Sequence, residues 1–313
     1  MLPKVYVLGN LSIDIIVGYF DGWPEVGTEV IGDFFDFRYT GAAGNTANAL
    51  RVLGFDTAVV SVVGDDTFGR EFIGDLRGRG IDVSKCRVVP EKTSVSVGIS
   101  MRSSERSFFT YLGSLGLMDR GFLMESISDI EESWVVVCGF NLIPSFQEDS
   151  FLNVIEHLVW NGNRILFDPG WFPGGWGDKE TALVVDIARK SAIFLPNQNE
   201  ALAISRTSAL DSALEYFRSE GLNGCIVKLG GDGARGFVGE EDVSTPAYRF
   251  GEIVDTVGAG DMFNAALLRG IVEGWSYSEA VSFASFYSSY AITKRQEARY
   301  PRFEDIYPLF LKR

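Results

Sequence analysis

The chain has 313 residues, of which 46% are hydrophobic, with a formal charge of −14 and a single histidine. That length holds one large α/β domain or two smaller ones. The negative charge argues against nucleic acid and anionic membranes as partners, and a lone His157 argues against a Ser-His-Asp triad or a histidine-rich metal centre.

Cys86, Cys138 and Cys225 are odd in number and lack metal-ligand spacing, so they read as reduced thiols. No apolar stretch is long enough for a membrane span or for the core of a signal peptide. A cytoplasmic protein is expected.

In chain order, residues 4–9 form a short apolar run ending in glycine and read as a buried strand. Residues 10–14 lie just past its carboxyl end, where open α/β sheets bind ligands. Ser12 and Asp14 are therefore binding candidates, although Asp14 reads equally well as a turn residue. No GxGxxG comes after this strand, which argues against a Rossmann oxidoreductase. Residues 15–39 and again 87–111 alternate apolar and polar side chains, predicting extended strands. Two such insertions point to a small sheet outside the main one, the alternative being edge strands of the main sheet. Between them, the small residues 41–45 run into a helix ending at Gly54, a second helix start open to close approach.

Strands at 58–64, 134–138 and 164–168 then alternate with helices, one running to Leu76 and one at 151–160. This is the pattern of a doubly wound, mostly parallel sheet flanked by helices. Asp168 ends one strand, a place open to a metal or phosphate contact, but the sequence assigns no role to it or to the aromatic loop 171–176. A strand at 192–195 leads to Asn197 and Glu200 at a helix start, where a carboxylate also favours the dipole. Gly231, Gly233 and Gly236 spell GxGxxG after the strand 225–229. The residues beyond Gly236 are strand-like, so these glycines read as a turn between strands.

Residues 255–267 are a glycine-rich turn opening into a helix. The first amides of a helix lack partners and sit at the positive end of its dipole, so a backbone without bulk there suits phosphate. Asp261 falls in the first turn beside Gly258, Ala259 and Gly260. A carboxylate that takes a proton next to amides that hold developing charge suits phosphoryl transfer.

Those thirteen residues match throughout the second signature of the ribokinase-like, or PfkB, carbohydrate kinases. The chain resembles that family at residues 9–14, 41–54, 197–200 and 228–233 as well, in the same order. The resemblance implies one ribokinase-like domain with a β lid at about 15–39 and 87–111. It implies Asp261 as catalytic base and the backbone of 258–260 as anion hole. Asp14, with Ser12, Gly41 and Asn45, would hold the sugar; an asparagine amide both donates to and accepts from a hydroxyl. Lys228, Gly230, Gly233, Asp255 and Thr256 would bind ATP, with the small-residue helix at 278–293 packing near adenine. Asn197 and Glu200 would hold Mg²⁺ largely through water.

The family's monovalent-cation turn carries a glycine that residues 293–299 lack, so cation dependence stays open, as does pairing of two chains through the lid. A pentose or ketohexose is the favoured acceptor. A sugar acid would need an arginine such as Arg38, Arg102 or Arg106, and a nucleoside would lean on the apolar residues of 106–113. A non-catalytic sugar sensor would be expected to have lost Asp261 or the Gly-Ala-Gly run; both are intact.

Overall fold

The apolar runs of this chain are buried on both sides because helices cover each face of one long sheet. The computed structural model describes residues 2–102 and 106–312. Its first seven strands are β1 (Lys4–Leu8), β2 (Ser12–Phe20), β3 (Phe34–Thr40), β4 (Asp56–Gly64), β5 (Cys86–Val89), β6 (Val95–Met101) and β7 (Arg106–Tyr111). The rest are β8 (Trp134–Val137), β9 (Arg164–Phe167), β10 (Ile193–Phe194), β11 (Gly224–Lys228), β12 (Ala234–Val238) and β13 (Glu241–Thr245). The helices are α1 (Gly41–Val52), α2 (Thr67–Gly78), α3 (Arg120–Ile127), α4 (Phe151–Trp160), α5 (Asp178–Lys190), α6 (Gln198–Ser205), α7 (Leu210–Ser219), α8 (Ala259–Val272), α9 (Tyr277–Ala291) and α10 (Phe303–Phe310).

Nine strands form the main sheet in the order β13-β12-β11-β10-β9-β8-β1-β4-β5. It is parallel from β11 to β5, with β12 and β13 added antiparallel at one edge. Helices α1, α2, α8, α9 and α10 pack their apolar faces on one side and α3 to α7 on the other, giving two cores. Each fully buried aliphatic or aromatic side chain contributes about 1.5–3 kcal/mol, so both faces must be covered for the sheet to persist. Among the described residues no helix is long and apolar enough to cross a membrane. The three cysteines are free thiols. His157 lies on α4 beside the amide of Asn161.

The four remaining strands form a separate sheet, β3-β2-β6-β7, which is the small lid expected from the two insertions. Three boundaries differ from the sequence reading. Residues 86–89 do not belong to the lid; they pair parallel with β4 in the main sheet, because α2 returns them as an ordinary crossover. The alternation at 28–33 forms no strand, and β3 begins only at Phe34. Helix α1 starts at Gly41 and not after Asn45. Asn10 supplies both a backbone carbonyl and its side-chain oxygen to the amides of Ala43 and Ala42 (3.2 and 3.3 Å). That helix start is therefore capped from within the chain. Gly41 is required there: its φ is +80° and a Cβ would lie 2.3 Å from the Asn10 carbonyl.

Candidate active site

Parallel strands point their carboxyl ends to one rim, and the strand order decides which residues meet there. In this sheet the rim brings Lys228 (end of β11), Asn197 (after β10), Asp168 (after β9) and Asn10 (after β1) into one line. Above it sits the start of α8. Gly258 caps that helix with φ +78°, and its hydrogen-bond ladder begins with Met262 donating to the Gly258 carbonyl. The amides of Gly260 and Asp261 are thus left for partners outside the helix.

Asp261 stands between two cavities. One, of about 670 Å³, is lined by Asn197, Glu200, Lys228, Gly230, Gly233, Thr256, 258–260 and Asp261 itself. It is also walled by Tyr248, Phe250, Ile253 and Ile292, with Ser285, Ser288 and Ser289 of α9. On its other side Asp261 accepts a hydrogen bond from the Asn45 amide at 2.9 Å, and Asn45 in turn accepts one from the Tyr300 hydroxyl at 2.9 Å. Asn45, Arg38 and Tyr300 line the second cavity, of about 220 Å³.

Burial and then the nearby Asp168 charge push the Asp261 carboxyl up to about 7, against the pull of Asn45, Lys228 and Arg299. Glu200 is raised to about 7 for the same two reasons. Lys228 answers this cluster. Burial by itself pulls its ammonium down, but Asp168, Glu200 and Asp261 outweigh that and hold it above its ordinary value. Its Nζ donates to Asp168 Oδ2 at 2.5 Å, and the fully buried Asn264 amide donates to the same oxygen at 2.6 Å. Lys228 also lies against the backbone of 258–260, where a Cβ on Gly260 would come within 3.2 Å of its Nζ.

Asn197 and Glu200 form a capping box on α6: the Asn197 side chain accepts from the Glu200 amide at 3.0 Å, and the Asn197 amide donates to Glu200 at 2.8 Å. Both side chains line the large cavity but are partly spent on each other. Among the described residues no group of three or more His, Cys, Asp or Glu is arranged to cage a metal. Such a donor set fits Mg²⁺ held through water and phosphate rather than by a protein cage.

Asp255 does not line the large cavity. It closes the turn by accepting from the Val257 amide at 3.0 Å, and it forms ion pairs with Arg38 of the lid and with Arg299. Burial pushes its carboxyl up, yet the Val257 amide and both guanidiniums outweigh this and hold it below its ordinary value. Ser12 and Asp14 are buried at the base of the lid, where Thr40 pairs with Ser12 across β2 and β3 and donates to Asp14 at 3.4 Å. Gly233, at φ +95°, turns β11 into antiparallel β12; a Cβ there would sit 2.0 Å from the Thr245 carbonyl. The GxGxxG spelling is thus a strand-to-strand turn against the cavity.

The pfkB family carbohydrate kinase model matches residues 3–301. The chain is a pfkB family carbohydrate kinase. It is a phosphotransferase with an alcohol acceptor, on the ribokinase fold. It is 26% identical to the ribokinase of Lactococcus lactis, with 94% of this chain and 92% of that protein covered. It is 27% identical to the 2-dehydro-3-deoxygluconokinase of Bacillus subtilis, covering 84% of this chain and 81% of that one. An E. coli chain solved in complex with ATP and Mg²⁺ superposes with a TM-score of 0.81 at 23% identity, covering 99% of each chain.

Several residues of this kinase's site were not legible as such. Tyr300 and Arg299 lie in no motif of the sequence, and Arg38 carries no sign there that its partner is Asp255. Asp168 did give a signal, a carboxylate at a strand's carboxyl end, but not its lysine partner. Arg102 pairs with Asp21 and Asp33 on the lid surface, at 3.2 and 2.9 Å. The Arg106 side chain lies outside the described residues.

Proposed function

We propose that the chain is a cytoplasmic ATP-dependent kinase of a small neutral sugar, a pentose or ketohexose, working as one domain with its lid inserted at 12–40 and 95–111. The observation that carries this reading is Asp261, which lines the nucleotide-sized cavity and hydrogen-bonds Asn45 on the opposite side. In this reading Ser12, Asp14, Gly41 and Asn45 hold the acceptor. Asp261 takes the proton of its hydroxyl, the freed oxygen attacks the γ-phosphorus, and the bond to the β–γ bridging oxygen breaks to release ADP. The backbone of 258–260 holds the charge of the phosphoryl in flight.

Lys228, Gly230, Gly233 and Thr256 line the ATP cavity, while Asp255 acts indirectly by shaping the turn. Asn197 and Glu200 would hold Mg²⁺ through water. When bound, that ion neutralises phosphate charge.

A neutral acceptor is favoured because the described lid arginines are already committed. Arg38 pairs with Asp36 and Asp255, and Arg102 with Asp21 and Asp33. The Asp14 carboxylate, buried at the base of the lid, suits hydroxyl donors instead. ADP release measured over pentoses, ketohexoses, sugar acids and nucleosides tests this. We expect one neutral sugar to give the highest kcat/KM; a preference for a sugar acid would overturn the neutral-acceptor reading.

We also infer that two copies pair through the lid. Trp23, Val26, Ile31, Phe35, Phe109 and Tyr111 are all exposed on it or on its 21–33 connection, large apolar side chains that pairing would take out of water. The expected solution mass is that of a dimer, reverting to the monomer in a Phe35→Asp, Phe109→Asp double variant. A monomeric wild type at micromolar concentration would remove this inference.

A further inference from the structure

The segment after α9 enters the site with a positive charge of its own. Residues 293–299 carry Lys294, Arg295 and Arg299 as well as Glu297, and Arg299 reaches the 255–258 turn. Arg299 is 3% exposed. Its Nη1 reaches Asp255 at 3.2 Å, and its Nη2 donates to the Val257 carbonyl. It also packs behind Gly258, where a Cβ would come within 3.6 Å of Nη2. A carboxylate and a carbonyl on one turn are oxygen donors of the kind a small cation takes, and here the guanidinium occupies both.

The next residue, Tyr300, holds Asn45, which is bonded to Asp261. On the other side of the same turn, the amides of Val254 and Asp255 both donate to the Ile292 carbonyl, at 2.9 and 3.1 Å. The 254–258 turn is therefore held from both sides by the chain running from the end of α9 to Tyr300.

We propose that Arg299 is a positioning residue whose guanidinium serves as a resident cation, fixing the 255–258 turn so that the amides after it face the phosphate, and that the enzyme consequently needs no potassium. This rests on the reading of 258–260 as the anion hole. Arg299 itself touches no reacting atom; it acts through the Val257 carbonyl and Asp255. A rigid planar fork with two separate hydrogen-bonding edges can bridge a carboxylate and a carbonyl at once, which an ammonium at the end of a flexible stem does less well.

The test is ADP release with the best acceptor in potassium, sodium and N-methylglucamine chlorides at equal ionic strength, for wild type and Arg299→Ala. Wild type is expected to run at the same rate, within about twofold, in all three salts. In the variant kcat should fall about 10²-fold, as misplacement of a catalytic element by an ångström does, with the acceptor KM little changed. Added guanidinium chloride at tens of millimolar should restore at least about fivefold of that loss, which a merely structural defect would not allow. Severalfold activation of wild type by potassium would overturn the proposal, and so would an unchanged kcat in Arg299→Ala.

Should Arg299→Ala fail to fold, Arg299→Lys keeps the charge but not the fork and should show the same loss of kcat in part; an unchanged kcat there would count against the proposal. Calorimetric titration with AMP-PNP separates this inference from the kinase reading. If no acceptor turns over, the kinase reading fails, while an affinity for AMP-PNP weakened about tenfold in the variant still supports the resident cation and an unchanged affinity still removes it.

Discussion

Replacing Asp261 by Asn is expected to lower kcat by about 10²–10⁴-fold, the range supplied by a positioned general base. Asparagine keeps the shape and can still meet Asn45, but it cannot accept the acceptor's proton. The pH dependence gives the second half of this prediction. Burial and Asp168 lift the Asp261 carboxyl to about 7, so below that pH the base is increasingly protonated and kcat/KM of the wild type should fall on the acid side. Glu200 titrates in the same region, so the apparent midpoint belongs to the cluster rather than to one residue.

The stability effect runs the other way. A folded-state value above the unfolded one means that the folded protein binds the proton more tightly. The group's contribution to folding is fully present below the unfolded value of 3.8, is lost as the pH rises to about 7, and leaves a constant penalty above that. Asp261→Asn should therefore be more heat-stable than wild type at pH 8, by about 1.5 °C for each kcal/mol relieved, with the gain shrinking toward pH 4. Melting curves across that range check it. An inactive variant with no gain at pH 8 would mean that the carboxyl is not strained as described, and an active one would remove it as the base.

Lys228→Met is expected to cost about 3–5 kcal/mol of stability, the usual effect of breaking a buried ion pair from one side. Methionine nearly preserves the volume, so the loss reports charge and not a cavity. Lys228 is the cation among Asp168, Glu200 and Asp261, and its removal leaves the Asp168 carboxylate with the Asn264 amide at 2.6 Å and the Gly170 amide at 3.3 Å. The uncompensated charge should also push Asp261 further up, moving the acid limb of kcat/KM to higher pH, because the Lys228 ammonium at present opposes that rise. Urea midpoints and a pH profile of Lys228→Met read the two effects separately. Unchanged stability would show that Lys228 serves the nucleotide alone. An unmoved acid limb would show that it does not set the charge on the base.

The parts of this kinase that could be read directly are those whose determinants are contiguous. The turn and first helical turn at 255–267 are written in consecutive residues, since glycine backbone freedom, a helix start and a first-turn carboxylate are all local properties. The Asn197 and Glu200 pair is a capping box three residues apart, and so equally local. Alternation with period two marked out the lid strands, while consecutive apolar runs marked the strands buried on both faces. Where the reading slipped, at 28–33 and 86–89, the pattern of side chains was right for a strand, but pairing decided whether one formed and in which sheet.

What the sequence determined by itself was the fold class, the family and the position of Asp261 on its turn, because these rest on short-range spacing. Only the tertiary structure decided which side chains meet. Asn45 reaches Asp261 across 216 residues and Lys228 reaches Asp168 across 60. The lid brings Arg38 to Asp255, and the chain after α9 brings Arg299 to the same carboxylate. A charged residue carries no mark of its partner in its own neighbourhood; the order of strands and the line of their carboxyl ends select it.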